Sequence, residues 1–263
     1  MLPDDLAAAL GALRDRRPGL RLDVRWHAAV TSTMDVAANL AAAGAEPGVV
    51  VGADQQTAGR GRRGHAWESP PAAGLYFSFI ARPPLQANAS LPLLTLAAGV
   101  AVRDGVLAAV GWAPQLKWPN DVMVGRRKLA GILAEGLGVG TPAQAVVIGV
   151  GLNLLPSAYP PEVVARATSL EAELGRAVDR GQVLAEVLAA LTDRLATLAG
   201  SPGDILQAWR AASPSATGTR VEWDGRTGTT AGIDESGALL IRTPSGIERV
   251  IAGEVHWHLG TNP

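Results

Sequence analysis

Three glycines and three arginines make up the run Gly59-Arg60-Gly61-Arg62-Arg63-Gly64, a pattern that brings backbone and positive charge together. Glycine lets the chain approach a ligand closely with its N–H groups turned inward. Guanidinium forks suit carboxylate or phosphate. The run is not a P-loop, because no Gly-Lys-Ser/Thr follows and the chain leads on into a strand pattern. On these six residues alone, a basic loop that touches RNA or only solvent is an equal alternative. Trp67, just downstream, favours a pocket, where an indole walls a site or stacks on a base.

Three further segments carry polar groups at suggestive positions. In Lys117-Trp118-Pro119-Asn120-Asp121 a lysine, a proline and two short polar residues at a turn can point into one cleft. Asn-Asp is also a common plain turn, and Lys117 could be a structural ion-pair partner. The stretch from Arg127 through Lys128 to Gly131 and Glu135 puts charge at the mouth of an apolar strand, where a lysine can equally snorkel to the surface. In the fourth, Gly149 and Gly151 share one strand face and leave room for a flat ligand or a second backbone, with Asn153 at the end. Lysine itself is scarce. Of 23 basic residues only Lys117 and Lys128 are lysines, and both fall in these segments. Lysine offers a compact point charge that arginine does not.

The elements that must position these groups follow from hydrophobic period. Residues 6–13 read as a short Ala/Leu helix, and residues 20–27 alternate as a half-buried strand. A hydroxyl of Thr31-Ser32-Thr33 can cap a helix over 34–43. Residues 48–53 form a β-branched strand, and 55–71 break all periodicity. A strand over 75–81 and a long apolar helix over 91–110 come next. Strands at 115–118, 122–124, 128–135 and 145–154 precede two or three helices between 169 and 212. A linker-like composition at 213–218 leads to short strands at 220–223, 229–233, 238–242, 248–251 and 255–258, with Asp-Gly and Ser-Gly turns. His256 and His258 then alternate on a terminal strand. The expected division is a helical extension (1–20), a large α/β unit (21–213) and a small β-barrel (214–263).

Composition narrows the classes. The 263 residues, 48% of them hydrophobic, can bury a full core. A net charge of −1 gives no global pull toward nucleic acid or an anionic membrane. With no cysteine, disulfides, thiolate metal sites and a cysteine nucleophile are excluded. No signal-peptide pattern opens the chain. The apolar stretch 91–102 is too short to span a bilayer and runs into Arg103 and Asp104. A soluble, cytoplasmic protein is expected.

Taken in order, these segments closely resemble the biotin protein ligases, the biotin–[acetyl-CoA carboxylase] ligases. That family shows a Ser-Thr-Asn element, Gln-x-x-Gly-Arg-Gly-Arg-x-Gly, Lys-Trp-Pro-Asn-Asp, Lys-Leu-Ala-Gly-Ile-Leu and Gly-x-Gly-x-Asn. The likeness runs from about Trp26 to Glu254. It implies an α+β fold, with a mixed-sheet catalytic domain of the biotin/lipoate ligase type and a C-terminal SH3-like barrel. It also implies the activity: biotin and ATP, with Mg2+, give biotinyl-5′-AMP, and the biotinyl group passes to a lysine of a biotin carboxyl carrier protein. A homodimer is possible.

The resemblance also implies roles. Lys128 bridges biotin carboxylate and α-phosphate, with Arg62 and Asp121 as the other catalytic groups. Biotin is held by Ser32, Thr33, Gln56, Arg60, Gly61, Arg62, Lys128 and Gly131. The nucleotide is met by Arg62, Arg63, Trp67, Lys117, Asn120, Lys128 and Asn153. Asp121 faces the metal and orients the carrier lysine. Two departures stand out: Met34 replaces the usual Asn, and His65 a frequent Arg. Some members carry a winged-helix DNA-binding domain of roughly sixty residues. About 25 residues precede the first matching strand here, so no DNA partner is expected.

Overall fold

The computed structural model describes residues 2–83, 91–138, 140–141 and 144–257. Seven strands form one mixed sheet: β1 (Asp23–Val30), β2 (Val49–Gln56), β3 (Gly74–Ala81), β4 (Gln115–Lys117), β5 (Asp121–Val124), β6 (Arg127–Leu137) and β7 (Ala145–Asn153). Their order is β1-β2-β3-β7-β6-β5-β4, with β1 and β2 parallel and the other pairs antiparallel. The helices are α1 (Asp4–Arg16), α2 (Thr33–Ala42), α3 (Leu91–Val110), α4 (Leu170–Leu174), α5 (Arg180–Gly200) and α6 (Pro202–Ala212). A separate antiparallel sheet follows, of β8 (Thr217–Trp223), β9 (Arg226–Ile233), β10 (Leu239–Thr243), β11 (Gly246–Val250) and β12 (His256–Trp257).

The central strands are apolar throughout because both faces of the sheet are covered. Alternate side chains divide between two cores. Val50, Phe77, Phe79, Val146, Ile148 and Val150 join the large core with α1, α3, α5 and α6. Val49, Val51, Ile80, Ala145 and Val147 pack against Met34, Ala37 and Ala41 of α2. On this second face the β7 series continues as Gly149 and Gly151, with Gly131 and Leu133 opposite them on β6. Without side chains of their own, these glycines leave room on this face for Met34 and Trp67, beside the space in which the site lies.

Several expected boundaries shift. The alternating run 20–27 becomes a strand only from Asp23 to Val30, because pairing with β2 begins at Asp23 with Val49. Trp118 belongs to a turn with a cis Trp118–Pro119 bond rather than to β4. The N-terminal helical extension packs on the larger unit: Leu6, Leu10 and Leu13 are buried in the main core, and Arg180 pairs with Asp5 at 2.9 Å. The linker-like 213–218 folds as a 3-10 turn, Pro214–Ala216, with Ser213 and Ala216 buried. Ser32 occupies the N-cap of α2, but its hydroxyl makes no capping bond. His258 lies outside the described residues.

By length and composition α3 could cross a membrane, yet eleven of its residues are buried in the protein. At Gly105 a Cβ would come within 2.4 Å of Val187 Cα, so glycine allows α3 and α5 to touch. Arg194 of α5 also holds Asp104 at 2.6 Å. The two β units share one continuous core that includes Val221, Trp223, Leu239 and Ile241. Trp118 Nε1 donates to Gly237 O at 3.0 Å across their junction.

Candidate active site

A cavity of about 360 Å³ opens on the glycine-lined face of the larger sheet, between the 59–67 loop, the 117–121 turn, β6, β7 and residues 253–256. Most of the sequence-predicted residues meet there: Thr33, Gln56, Arg60, Gly61, Arg62, Trp67, Lys117, Asn120, Asp121, Lys128 and Gly131 all line it. Three do not. Ser32 is fully buried, with its Oγ lacking any protein partner. Asn153 is buried too and spends its amide on Thr168 O at 2.9 Å. Arg63 is exposed and takes a left-handed backbone, φ 53°, at the loop's tip.

The loop is ordered by its own hydrogen bonds and by a polar relay beneath it. Gly61 N donates to His65 O at 2.7 Å and Trp67 N to Gly59 O at 2.9 Å, which pins the turn as a small hairpin. Gln56 Oε1 accepts from Thr33 N at 2.9 Å and Thr33 Oγ1 at 3.1 Å, while its Nε2 donates to Ser69 Oγ at 2.8 Å. Ser69 Oγ in turn donates to Trp67 O at 3.2 Å. A Cβ at Gly59 would lie 2.3 Å from Trp67 O, so only glycine admits this return.

The Gly131–Gly151 pair is filled by the Trp67 indole rather than left open. A Cβ on Gly151 would fall 2.3 Å from the ring, and one on Gly131 2.9 Å from it. Met34 fills the neighbouring place, since a Cβ on Gly149 would lie 2.6 Å from its sulfur. The Trp67 Nε1 atom is buried without a protein partner. For the substrates that the resemblance implies, biotin and ATP, a Gly151→Ala variant is expected to displace the indole and raise the KM of at least one severalfold. Steady-state kinetics in both substrates check this, and unchanged KM values would show the indole is not part of the site.

Charge in the cavity is one-sided. Arg60, Arg62, Lys117, Lys128 and Arg166 line it against the carboxylates of Asp121 and Glu254. Lys128 Nζ sits 2.6 Å from Asp121 Oδ1 and 5.4 Å from the Trp67 ring centre. The strand end bearing Lys128 is fixed by its N–H to Arg166 O at 2.7 Å and by Thr168 N to its carbonyl at 2.9 Å. Arg62 meets only neutral oxygens, Asn120 Oδ1 at 3.2 Å and Gly253 O at 3.4 Å. Burial, then the neighbouring Arg63, lowers its pKa from the ordinary arginine value. Lys117 stands 4.9 Å from the Trp257 ring centre, and burial lowers its pKa against the pull of Asp121. Both cations are thus held at some cost that an anionic ligand would relieve.

Residues 253–257 are the part sequence reasoning missed. Gly253 O meets Arg62, Glu254 takes His65 Nε2 at 2.9 Å, and Trp257 faces Lys117. No motif marks them; the one available hint was that the resemblance extends as far as Glu254. His65, where an arginine is more usual, therefore ties the loop to the smaller β unit.

Comparison with known proteins agrees with this geometry. Residues 26–153 match the Biotin/lipoate A/B protein ligase family, and residues 226–256 match the Biotin protein ligase C terminal domain. The Bifunctional ligase/repressor BirA of Bacillus subtilis is 35% identical over 257 residues, covering 91% of this chain and 77% of that one. The Biotin--[acetyl-CoA-carboxylase] ligase of Mycobacterium tuberculosis is 38% identical over 259 residues, 93% of each chain. The structure of the biotin protein ligase from Aquifex aeolicus in complex with biotin and ATP matches with a TM-score of 0.78 at 31% identity. That match covers 90% of this chain and 98% of the other.

Proposed function

The chain belongs to the biotin/lipoate ligase family, and from that premise we infer that it is an ATP-dependent biotin protein ligase. It activates biotin as biotinyl-5′-AMP and passes the biotinyl group to a lysine of a carrier protein. The carrier we assign is the biotin carboxyl carrier domain of a carboxylase, after relatives named biotin--[acetyl-CoA-carboxylase] ligase, and the compartment is the cytoplasm. The observation that carries the reading is the convergence of Arg62, Lys117 and Lys128 on one partly apolar cavity.

In the first step a carboxylate oxygen of biotin attacks the α-phosphorus of ATP, and the bond to pyrophosphate breaks. Two anions must meet, so donors already in place around the point of contact lower the barrier most. We assign that contact to Lys128 Nζ, which leaves Asp121 for the nucleophile and phosphate as they enter. Arg62 reaches the phosphate from the opposite wall, and Lys117 supports the nucleotide. In the second step the carrier amine attacks the acyl carbon, the bond to AMP breaks, and the amine gives up a proton. Asp121, freed from Lys128, is placed to accept a hydrogen bond from that amine. Thr33, Gln56 and Gly131 offer the hydrogen bonds and space that a neutral ureido head on an aliphatic arm requires.

Among the described residues no group of three His, Asp or Glu could hold a metal unaided. Asp121 and Glu254 line the cavity, and Mg2+ carried in on ATP phosphates needs only one or two protein carboxylates. Asp121 would hold it, and the ion would neutralise phosphate charge. Incubation with biotin, Mg-ATP and an unmodified carrier domain, followed by intact mass measurement, tests the function. The carrier should gain one biotinyl group. No addition, or a preference for lipoate in a parallel reaction, would overturn the reading.

A further inference from the structure

Arg60 lines the cavity, but its guanidinium is already paired with carboxylates. Its guanidinium forms a two-pronged pair with Glu135 of β6, at 3.1 and 2.9 Å, and lies 3.1 Å from Asp35 in the first turn of α2. One cation between two carboxylates leaves a local charge of −1, which repels a free carboxylate rather than attracting it. This differs from the biotin-binding part that the resemblance implies for Arg60, and it leaves the guanidinium another task.

We propose that Asp35 and Glu135 are positioning residues for the ligase reaction: through Arg60 they tether the glycine-rich loop over the cavity and so govern how well the acyl-adenylate is retained. The proposal rests on the ligase reading above. The loop can move as a unit, because Arg60 bridges to Ala66 and Gly61 bonds to His65 within it. Its opposite flank is held by Arg62 to Gly253 O and His65 to Glu254. Both anchors of Arg60 stand on well-packed elements, a central strand and a helix seated on the sheet. The bidentate fork fixes direction as well as distance. Arg60, Asp35 and Glu135 are each more than a third exposed, so the pairs contribute little to folding, and their removal leaves the protein intact. Retention matters because an acyl-adenylate hydrolyses when water reaches it.

The test combines Asp35→Asn, Glu135→Gln and the double variant, in wild-type and Arg60→Leu backgrounds. Two quantities are measured: trypsin cleavage after Arg62 and Arg63, mapped by mass, and AMP released per carrier biotinylated. With the tether cut, cleavage is expected to quicken about threefold to tenfold, and the AMP-to-carrier ratio to rise well above one. In the Arg60→Leu background the carboxylate changes should add nothing, as expected for partners acting through one group. Wild-type cleavage and ratio in the double variant would overturn the proposal, as would equal effects in both backgrounds. Cleavage is read without substrates, so it judges the tether even if the chain fails to biotinylate any carrier.

Discussion

Lys128→Ala is expected to slow biotinyl-AMP formation by about a thousandfold or more, equivalent to roughly 4 kcal/mol of lost transition-state stabilisation. The charge that develops between carboxylate and α-phosphate has few alternatives to Lys128. The nearer wall holds Asp121, which without its 2.6 Å partner would add repulsion to the loss. The fold should survive, because the strand end is pinned through the Lys128 backbone, by Arg166 O and Thr168 N. Lys128→Arg tests the point charge itself. A planar fork must share a space bounded by the Trp67 ring and Gly131, whose Cα already leaves only 3.2 Å between an added Cβ and Nζ. A loss of about tenfold to a hundredfold is expected from misplaced donors. Pyrophosphate release in a single turnover, with circular dichroism as the folding control, decides it. A normal rate in Lys128→Ala would remove this residue from the chemistry.

Arg62→Gln should have the second largest effect, a fall of about a hundredfold in kcat/KM for ATP. The reasoning is electrical. Arg62 touches only neutral oxygens, so its charge is uncancelled by direct contact, and burial already disfavours it. An incoming phosphate meets a cation that has surrendered water and is drawn only at a distance by Asp121 and Glu254. Glutamine retains a polar tip but no charge. Arg60→Leu, by contrast, removes a cation already matched by two carboxylates and should impair ATP use far less. If Arg60→Leu proved equal to or worse than Arg62→Gln in ATP kcat/KM, this division of labour would be wrong.

Local pattern made much of this fold legible. The apolar runs at β2, β3 and β7 and the long α3 needed only hydrophobic period to be found. Membership of the cavity was legible too, because motif residues sit at strand ends and turns of one sheet face. Side-chain direction was not. Ser32, Asn153 and Arg63 all belong to the right segments, yet the first two turn into the packed interior and the third outward. Nothing local decides which way an N-cap hydroxyl or a strand-end amide turns once Thr168 offers a carbonyl. Long-range pairings were equally hidden. Arg60 meets Glu135 across 75 positions, and Arg62 meets Gly253 across 191. The room at Gly149 and Gly151 could be foreseen, but not that Met34 and Trp67 fill it.

The two lysines have a meaning beyond binding. This enzyme makes a reagent that acylates amines, and it must live with it. Both of its lysines line the cavity, one paired with Asp121 and the other lying over Trp257, and every other basic side chain is arginine. A guanidinium keeps its proton at any physiological pH and does not compete as a nucleophile. Escaped biotinyl-AMP therefore meets an exterior free of lysine amines, and the enzyme is poorly labelled by its own product. Intact mass of the protein after prolonged incubation with biotin and ATP, no carrier present, should show no lysine adduct; a biotinylated lysine would refute this immunity.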